Sequence, residues 1–490
     1  MRAVFHSLLV TLLASLAVAQ SLDESVEAIL ATPVARKATW GVHVVDLATG
    51  RTLYARNAGV PFTPASNTKL FSTALALVRL GPEYRFETKV LGAAPDPAGR
   101  IQGDLRLIGG GDTTLSARIV PYQKGPIEGD PLHGLAALAD EVLARGVRFV
   151  AGNVVGDDTL WPWQPYPDGW AAGDLAWEYG AAVSALTLND NAISITVRPG
   201  KTPGAPAEVS VRPPVEHFTF HVTLKTEAGA ERKINFDRAP GSSVVEISGT
   251  VPPNSPAVSQ LIAVEDPARF AAEAFIMLLR ARGITVGGTA RAAHRAAGQR
   301  YAPAAGTVLA RRLSPPLLEI ARVVDKVSQN LHAEILLREV GRVRRGEGTA
   351  AAGQKEMEEF LVGLGIEKLD FSLEDGSGLS RRTLISPTAI TSLLRYMDQS
   401  PHGDAFWSLL PAAGEDGTLS ARFRGVEGAS TIRAKTGTIS HVAALSGYTG
   451  PNGSRRLAFS IIANGATGPA ADIRALIDRI AIAVMREGQR

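Results

Sequence analysis

The 490-residue chain contains no cysteine. That excludes disulfide bonds, thiol catalysis and lipid attachment through a cysteine sulfur. Lysine is scarce: of 51 basic residues only 11 are lysine, so arginine serves wherever a plain positive charge is needed. A charge surplus is missing as well, since the formal net charge is +3, and no basic run is interleaved with aromatic residues. Nothing here has the electrostatic footprint of a nucleic-acid binder. Beyond residue 18 no apolar run is long enough to cross a bilayer, so no integral membrane segment is expected in the mature chain. The start reads as a secretory signal: Arg2, an apolar stretch from Leu8 to Val18, and Ala17-Val18-Ala19 as a small-residue cleavage site. The reading is a signal over 1–19, a mature chain from Gln20 or Ser21, and export to a periplasm or another extracytoplasmic cell-wall space.

What is present begins with Ser66-Asn67-Thr68-Lys69, the sole S-x-x-K of the sequence, set between Thr63-Pro64-Ala65 and the apolar run from Leu70 to Leu77. A turn delivers the serine to the start of a buried helix, with Lys69 one turn further on the same face. Serine is a weak nucleophile until a neighbour takes its proton, and a lysine at i+3 can be that neighbour. An ordinary lysine is neutral at pH 7 in only about one molecule in 2,500. The site therefore needs desolvation or a second cation to press the proton off. Arginine cannot give up its proton, so a base drawn from this chain's cations has to be one of its few lysines.

Lys435 is a candidate for the second cation. It stands in Lys435-Thr436-Gly437-Thr438, inside a β-favouring stretch that runs from Ser430 to Ile439. A third element, Ser328-Gln329-Asn330, follows the helical pattern Leu317, Leu318, Ile320, Ala321 and Val324, for which Ser314 and Pro315 are the expected cap and first turn. Each pattern occurs once, in the order S-x-x-K, S-x-N, K-T-G.

The chain's organisation separates these pieces. A hairpin is expected over 40–60, then the nucleophile helix. From about 87 to 305 short β-like runs and turns dominate. Helical periodicity returns from about 306, and a last helix carries Ile473, Leu476, Ile477, Ile480 and Val484 on one face. One domain is built from the two ends of the chain, around a largely β insertion.

The three patterns are the signature of penicillin-interacting serine acyltransferases. Three further stretches narrow the resemblance: Gly109-Gly110-Gly111-Asp112, Val183 to Asn191 (VSALTLNDN), and Asp375-Gly376-Ser377-Gly378-Leu379-Ser380-Arg381. With them the chain resembles, from about 24 to 485, the class C low-molecular-mass penicillin-binding proteins of the D-alanyl-D-alanine carboxypeptidase/endopeptidase family. The resemblance implies an α/β (α+β) fold with a transpeptidase/β-lactamase-like catalytic domain and nested inserted domains. Its boundaries are catalytic 20–86 and 306–490, inserted domain II at 87–111 and 206–305, and inserted domain III at 112–205.

It further implies that Ser66 attacks the carbonyl between two D-alanines of a peptidoglycan stem peptide while Lys69 takes its proton. Ser328 relays the proton to the leaving amine, and Asn330 holds the substrate amide and the lysine. Lys435 faces the terminal carboxylate, helped by Thr436 and Thr438 beside Gly437. The oxyanion sits on the backbone N–H groups of Ser66 and Thr438, and no cofactor or metal is implied. A β-lactam antibiotic enters the same chemistry and stalls as a covalent inhibitor. Asp174, Tyr179 and Arg381 match positions around the side chain of the third stem-peptide residue. A carboxylate at 174 suits a free amine such as that of diaminopimelate or ornithine, while Ser440 leaves the contact after K-T-G open.

Other signals are bland. His217 and His221 sit in a strand-like setting without the partners of a metal site. Gly109–Gly111 reads as a turn, not a phosphate loop. His332 and His441 suit packing or surface roles, and the tryptophans at 161, 163, 170 and 177 suit packing in the insertion. Two rival functions stay open. A β-lactamase would share acylation but deacylate fast, and a non-catalytic wall-binding or β-lactam-sensing module would have no need of a complete proton-transfer set.

Overall fold

The computed structural model describes residues 21–125, 127–229, 231–450 and 455–490, and the leader read at 1–19 lies outside them. The ends of the described chain meet in one antiparallel sheet of five strands, in the order Thr52–Arg56, Thr39–Asp46, Leu457–Asn464, Val442–Thr449, Arg433–Ile439. The hairpin expected over 40–60 supplies the first two. The central strands are apolar on both faces, as a sheet covered on both sides requires. Along Leu457–Asn464, residues Leu457, Phe459, Ile461 and Ala463 pack toward the helices Leu22–Leu30 and Ala470–Gly488. Ala458 and Ile462 alternate to the other side, against helices Lys69–Leu80, Leu317–Lys326, Asn330–Arg345 and Pro387–Gln399. The last helix buries Ile473, Leu476, Ile477, Ile480 and Val484, the stripe read from the sequence.

The strand bearing Lys435, Arg433–Ile439, lies at the edge of this sheet. Its outer side is bridged at the start, where Ala434 N–H donates to Pro411 O at 3.0 Å, and an edge strand leaves the rest of that row open to an extended segment.

The insertion has a core of its own. A mixed sheet runs Ala290–Arg295, Val154–Pro162, Leu105–Ile108, Glu87–Gly92, Thr307–Leu313. Two three-stranded sheets and a four-stranded sheet accompany it, with helices His133–Ala144 and Pro267–Ala281 packed into the same apolar cluster. The second helix has a plain start signal, Asp266 accepting Arg269 N–H ahead of a proline. The mixed sheet draws strands from both sides of the expected boundaries at 111/112 and 305/306.

One local expectation is corrected. The helix before S-x-N begins at Leu317 with Pro316 in the cap position and no side-chain cap. Ser314 is instead engaged elsewhere: its hydroxyl accepts Phe86 N–H at 2.9 Å and donates to Pro315 O at 2.7 Å. It ties the segment ahead of this helix to Phe86, far earlier in the chain.

Candidate active site

The nucleophile turn is a short 3-10 segment, Ala65–Thr68, leading into helix Lys69–Leu80. Ala65 takes a left-handed backbone (φ 47°), and so does Ser328 (φ 65°). Such conformations cost roughly 1–3 kcal/mol in a residue with a side chain and persist where the surroundings over-determine them. Both flank the same small space. Gly437 explains why K-T-G ends in glycine: a Cβ there would stand 2.5 Å from Pro64 O, so the edge strand can pass this close only without a side chain.

The ε-amine of Lys69 is fully buried and has three neighbours. It lies 2.9 Å from Ser66 Oγ, 2.6 Å from Asn330 Oδ1 and 2.6 Å from Ser377 O. The last two can only accept. The orientation of Asn330 follows from its own amide, which donates to Tyr179 O at 2.7 Å. A neutral amine has two N–H groups and one lone pair, so two donors meet the two acceptors and the lone pair faces the serine hydroxyl. Burial presses Lys69 well below the ordinary lysine range, and the neighbouring Lys435 presses further in the same direction. Asp375, Glu334 and Asp325 oppose them. Desolvation and a second cation, the two devices that the sequence calls for, are both present.

Lys435 is buried too, and its ammonium donates to Ser328 Oγ at 2.8 Å and to Thr436 O at 2.9 Å. Burial lowers its pKa, with the Asp325 carboxylate pulling the other way. The three patterns thus converge through two amines: Lys69 joins Ser66 to Asn330, and Lys435 joins Ser328 to the edge strand. Thr436 bonds through its hydroxyl to Thr418 at 2.9 Å, while Thr438 is exposed on the open face of the strand.

Several residues that build the site are given no role by the sequence, although the stretch Asp375–Arg381 stands out in it. The Asp375–Arg381 stretch forms a wall around Lys69. Asp375 accepts from Trp170 Nε1, Ser377 Oγ, Gly378 N, Ser380 N and Thr383 Oγ1, fixing the turn that presents Ser377 O. Gly378 packs so tightly on the nucleophile turn that a Cβ would fall 1.9 Å from Ala65 O. Glu334 receives Gly376 N–H at 3.0 Å, and burial, then Asp375, push its carboxyl up to about 7. Asp325 accepts from Thr73 at 3.0 Å, and burial raises it against the pull of both site lysines. Lys326 donates to Leu410 O at 2.7 Å and to Asp416 at 2.6 Å, pinning the end of its helix beside the loop that carries Thr418.

The three residues expected around the substrate side chain do come together. Arg381 pairs with Asp174 at 2.9 Å, so that carboxylate already has a cationic partner. Burial, then Asp174, raise the Tyr179 phenol. Ser440 is exposed at the end of the edge strand. His332 is a buried packing histidine with one specific partner, Asp190 at 2.9 Å, and Arg118 holds the other oxygen of that carboxylate. Burial would raise Asp190, but Arg118 and His332 together hold it well below the usual carboxylate range. This network ties the VSALTLNDN stretch to the helix that begins at Asn330. His217 and His221 pair with Glu273 and Glu246 respectively. Gly109 and Gly111 donate to Asp157 O and Ala185 O, so this stretch packs against distant segments where a turn was expected.

An activated serine, a buried amine beside it and an edge strand carrying a second amine define a serine hydrolase of the acyl-transferring kind. Comparison with known proteins narrows this. The model of the D-Ala-D-Ala carboxypeptidase 3 (S13) family matches residues 22–484, and the chain belongs to that family of serine peptidases. It is 37% identical over 463 residues to the D-alanyl-D-alanine carboxypeptidase of Actinomadura sp. (strain R39), covering 92% of this chain and 82% of the relative. It is 24% identical over 405 residues to the D-alanyl-D-alanine carboxypeptidase DacB of Haemophilus influenzae, with 82% and 80% covered. The fold is that of the crystal structure of penicillin binding protein 4 from Haemophilus influenzae, at a TM-score of 0.79 and 23% identity over 94% of this chain and 98% of that one.

Proposed function

We propose that this family member hydrolyses the D-Ala-D-Ala bond and the related cross-links of peptidoglycan stem peptides through an acyl-enzyme on Ser66. The observation that carries the reading is the setting of Lys69, whose two acceptors fit a neutral amine with its lone pair on the serine. Ser66 Oγ attacks the carbonyl carbon as its proton passes to Lys69 Nζ. The oxyanion is held by the N–H groups of Ser66 and Thr438, each such donor being worth roughly 10²–10³ in rate. The carbon–nitrogen bond then breaks, and the proton that Lys69 took is relayed through Ser328, hydrogen-bonded to Lys435, to the departing amine. Lys435, Thr436 and Thr438 hold the terminal carboxylate, and Asn330 holds the substrate amide. Water finally opens the ester. A β-lactam acylates the same serine.

Asp174, Tyr179 and Arg381 are proposed to receive the side chain of the third stem-peptide residue, Asp174 turning from Arg381 toward a free amine. The leader read from the sequence, together with a cell-wall substrate, supports an exported enzyme. The nested domain plan belongs to the same proposal, with the catalytic domain resuming after Leu313 because Thr307–Leu313 pairs with Glu87–Gly92.

The test is release of D-alanine from an N-acylated peptide ending in D-Ala-D-Ala. The parent should turn it over, and Ser66→Ala should not. Undiminished turnover by Ser66→Ala would overturn the assignment of the nucleophile. Asp174→Asn should raise KM for a peptide with a free amine at its third residue while leaving acylation by benzylpenicillin unchanged.

A further inference from the structure

The edge strand gives the bound peptide a direction. If the terminal carboxylate is held at Lys435 and Thr436, whatever lies beyond the scissile bond must leave past that end of the strand, away from Ser440. Thr418 stands there, bonded to Thr436. It opens onto a cavity of about 620 Å³ between two loops, with Tyr122 and Lys124 on one side and Glu415, Thr418 and Arg424 on the other. A product of one amino acid needs no such space.

The walls are built and held. Asp416 takes both Lys326 Nζ at 2.6 Å and Ala412 N–H at 2.9 Å, and Gly414 N–H donates to Leu419 O at 3.0 Å. On the opposite wall Tyr122 faces Gly417 across the cavity, and its backbone N–H donates to Glu319 Oε2 at 3.4 Å. A second cavity of about 490 Å³ continues from Tyr122 and Lys124 over Ser328 and Asn330, making the space continuous with the catalytic serine of S-x-N. The charges in the first cavity are uneven. Among the described residues Lys124 and Arg424 have no ion-pair partner, and Glu415 is the one acid that lines the cavity, its neighbour Asp416 being paired with Lys326.

We propose that this cavity is a leaving-side subsite for the second strand of a cross-linked peptide, with Lys124 and Arg424 receiving its free carboxylates. The assignment rests on the reading of Ser66 as a peptidase that also cleaves cross-links. The amine that departs in such a cleavage belongs to a whole peptide bearing carboxylates. The cavity supplies both the volume and the sign of charge for that strand, directly behind Ser328. Glu415 lies within reach of an amine on the same strand. These residues touch neither the acyl half of the substrate nor the reacting atoms.

The experiment compares the parent with the double variant Lys124→Ala/Arg424→Ala on two substrates, a purified cross-linked peptide dimer and a monomeric peptide ending in D-Ala-D-Ala. The proposal expects a loss of at least about tenfold in kcat/KM on the dimer, carried by KM and shrinking at high salt. D-alanine release from the monomer should stay within about twofold of the parent. An equal loss on both substrates, or none on the dimer, overturns the subsite. If the parent releases D-alanine but leaves the dimer uncut, the cross-link reading fails instead. The subsite is then read by inhibition of D-alanine release by the amine-bearing peptide fragment. Weaker inhibition of the double variant supports it, and equal inhibition of both proteins overturns it.

Discussion

Replacing Lys69 by methionine tests the proton-transfer argument with little change of shape. Methionine fills nearly the same volume but has neither lone pair nor N–H. General-base assistance of this kind is worth about 10²–10⁴-fold, which is about 3–5 kcal/mol of barrier. The stability cost comes from Asn330 Oδ1 and Ser377 O, both 2.6 Å from the lysine nitrogen and both left without a donor. Each orphaned buried acceptor costs roughly 1–3 kcal/mol, offset in part because an amine no longer has to be desolvated. The variant should therefore fold with a lowered midpoint while its acylation by benzylpenicillin, followed at pH 7 by rapid quench and intact mass, slows by about 10³-fold or more. A folded methionine variant that acylates within about tenfold of the parent would refute the reasoning, because the serine would then have another base.

Three further outcomes follow from the same geometry. Lys435 must carry its proton to hold a carboxylate, and burial lowers its pKa, so kcat/KM on a D-Ala-D-Ala peptide should fall on an alkaline limb below the ordinary lysine range. Lys435→Arg should push that limb to higher pH, and an unmoved limb would assign it to another group. Glu334 is raised in the folded state, to about 7, so the stability it contributes is present below the unfolded carboxylate pKa and lost as pH rises through about 7. Glu334→Gln should accordingly gain stability relative to the parent between pH 5 and pH 8, by at most about 3 kcal/mol, in chemical denaturation at the two pH values. Gly437→Ala forces a Cβ against Pro64 O and should cost about 1–3 kcal/mol in stability together with most of the acylation rate, measured by unfolding and by adduct formation.

The catalytic set was legible because its chemistry constrains residue type. Only lysine can act as a cation that sheds its proton, only glycine passes Pro64 at that distance, and each pattern stands alone in the chain. The hairpin and the last helix were legible from periodicity for the same reason that they fold, since each buries one repeating face. The role of the site's wall was not, although its stretch Asp375–Arg381 stands out as a pattern. Ser377 acts through its carbonyl, which any residue possesses, and its placement depends on the five donors that Asp375 gathers. Asp325 and Glu334 sit at polar positions of helical patterns that read as solvent-facing until neighbouring elements cover them. Ser314 has the look of a helix cap, yet its hydroxyl is taken by Phe86 from a distant part of the chain. The cavity behind Ser328 belongs to two loops almost 300 residues apart, and no local pattern announces their meeting.

The central claim is that Ser66 forms the acyl-enzyme. Its most direct test is the intact mass of the parent and of Ser66→Ala after brief exposure to benzylpenicillin. The account predicts one stable adduct on the parent, localised to the peptide containing Ser66, and none on the variant. An adduct of equal yield on Ser66→Ala, or an unmodified parent with the drug intact, would contradict it.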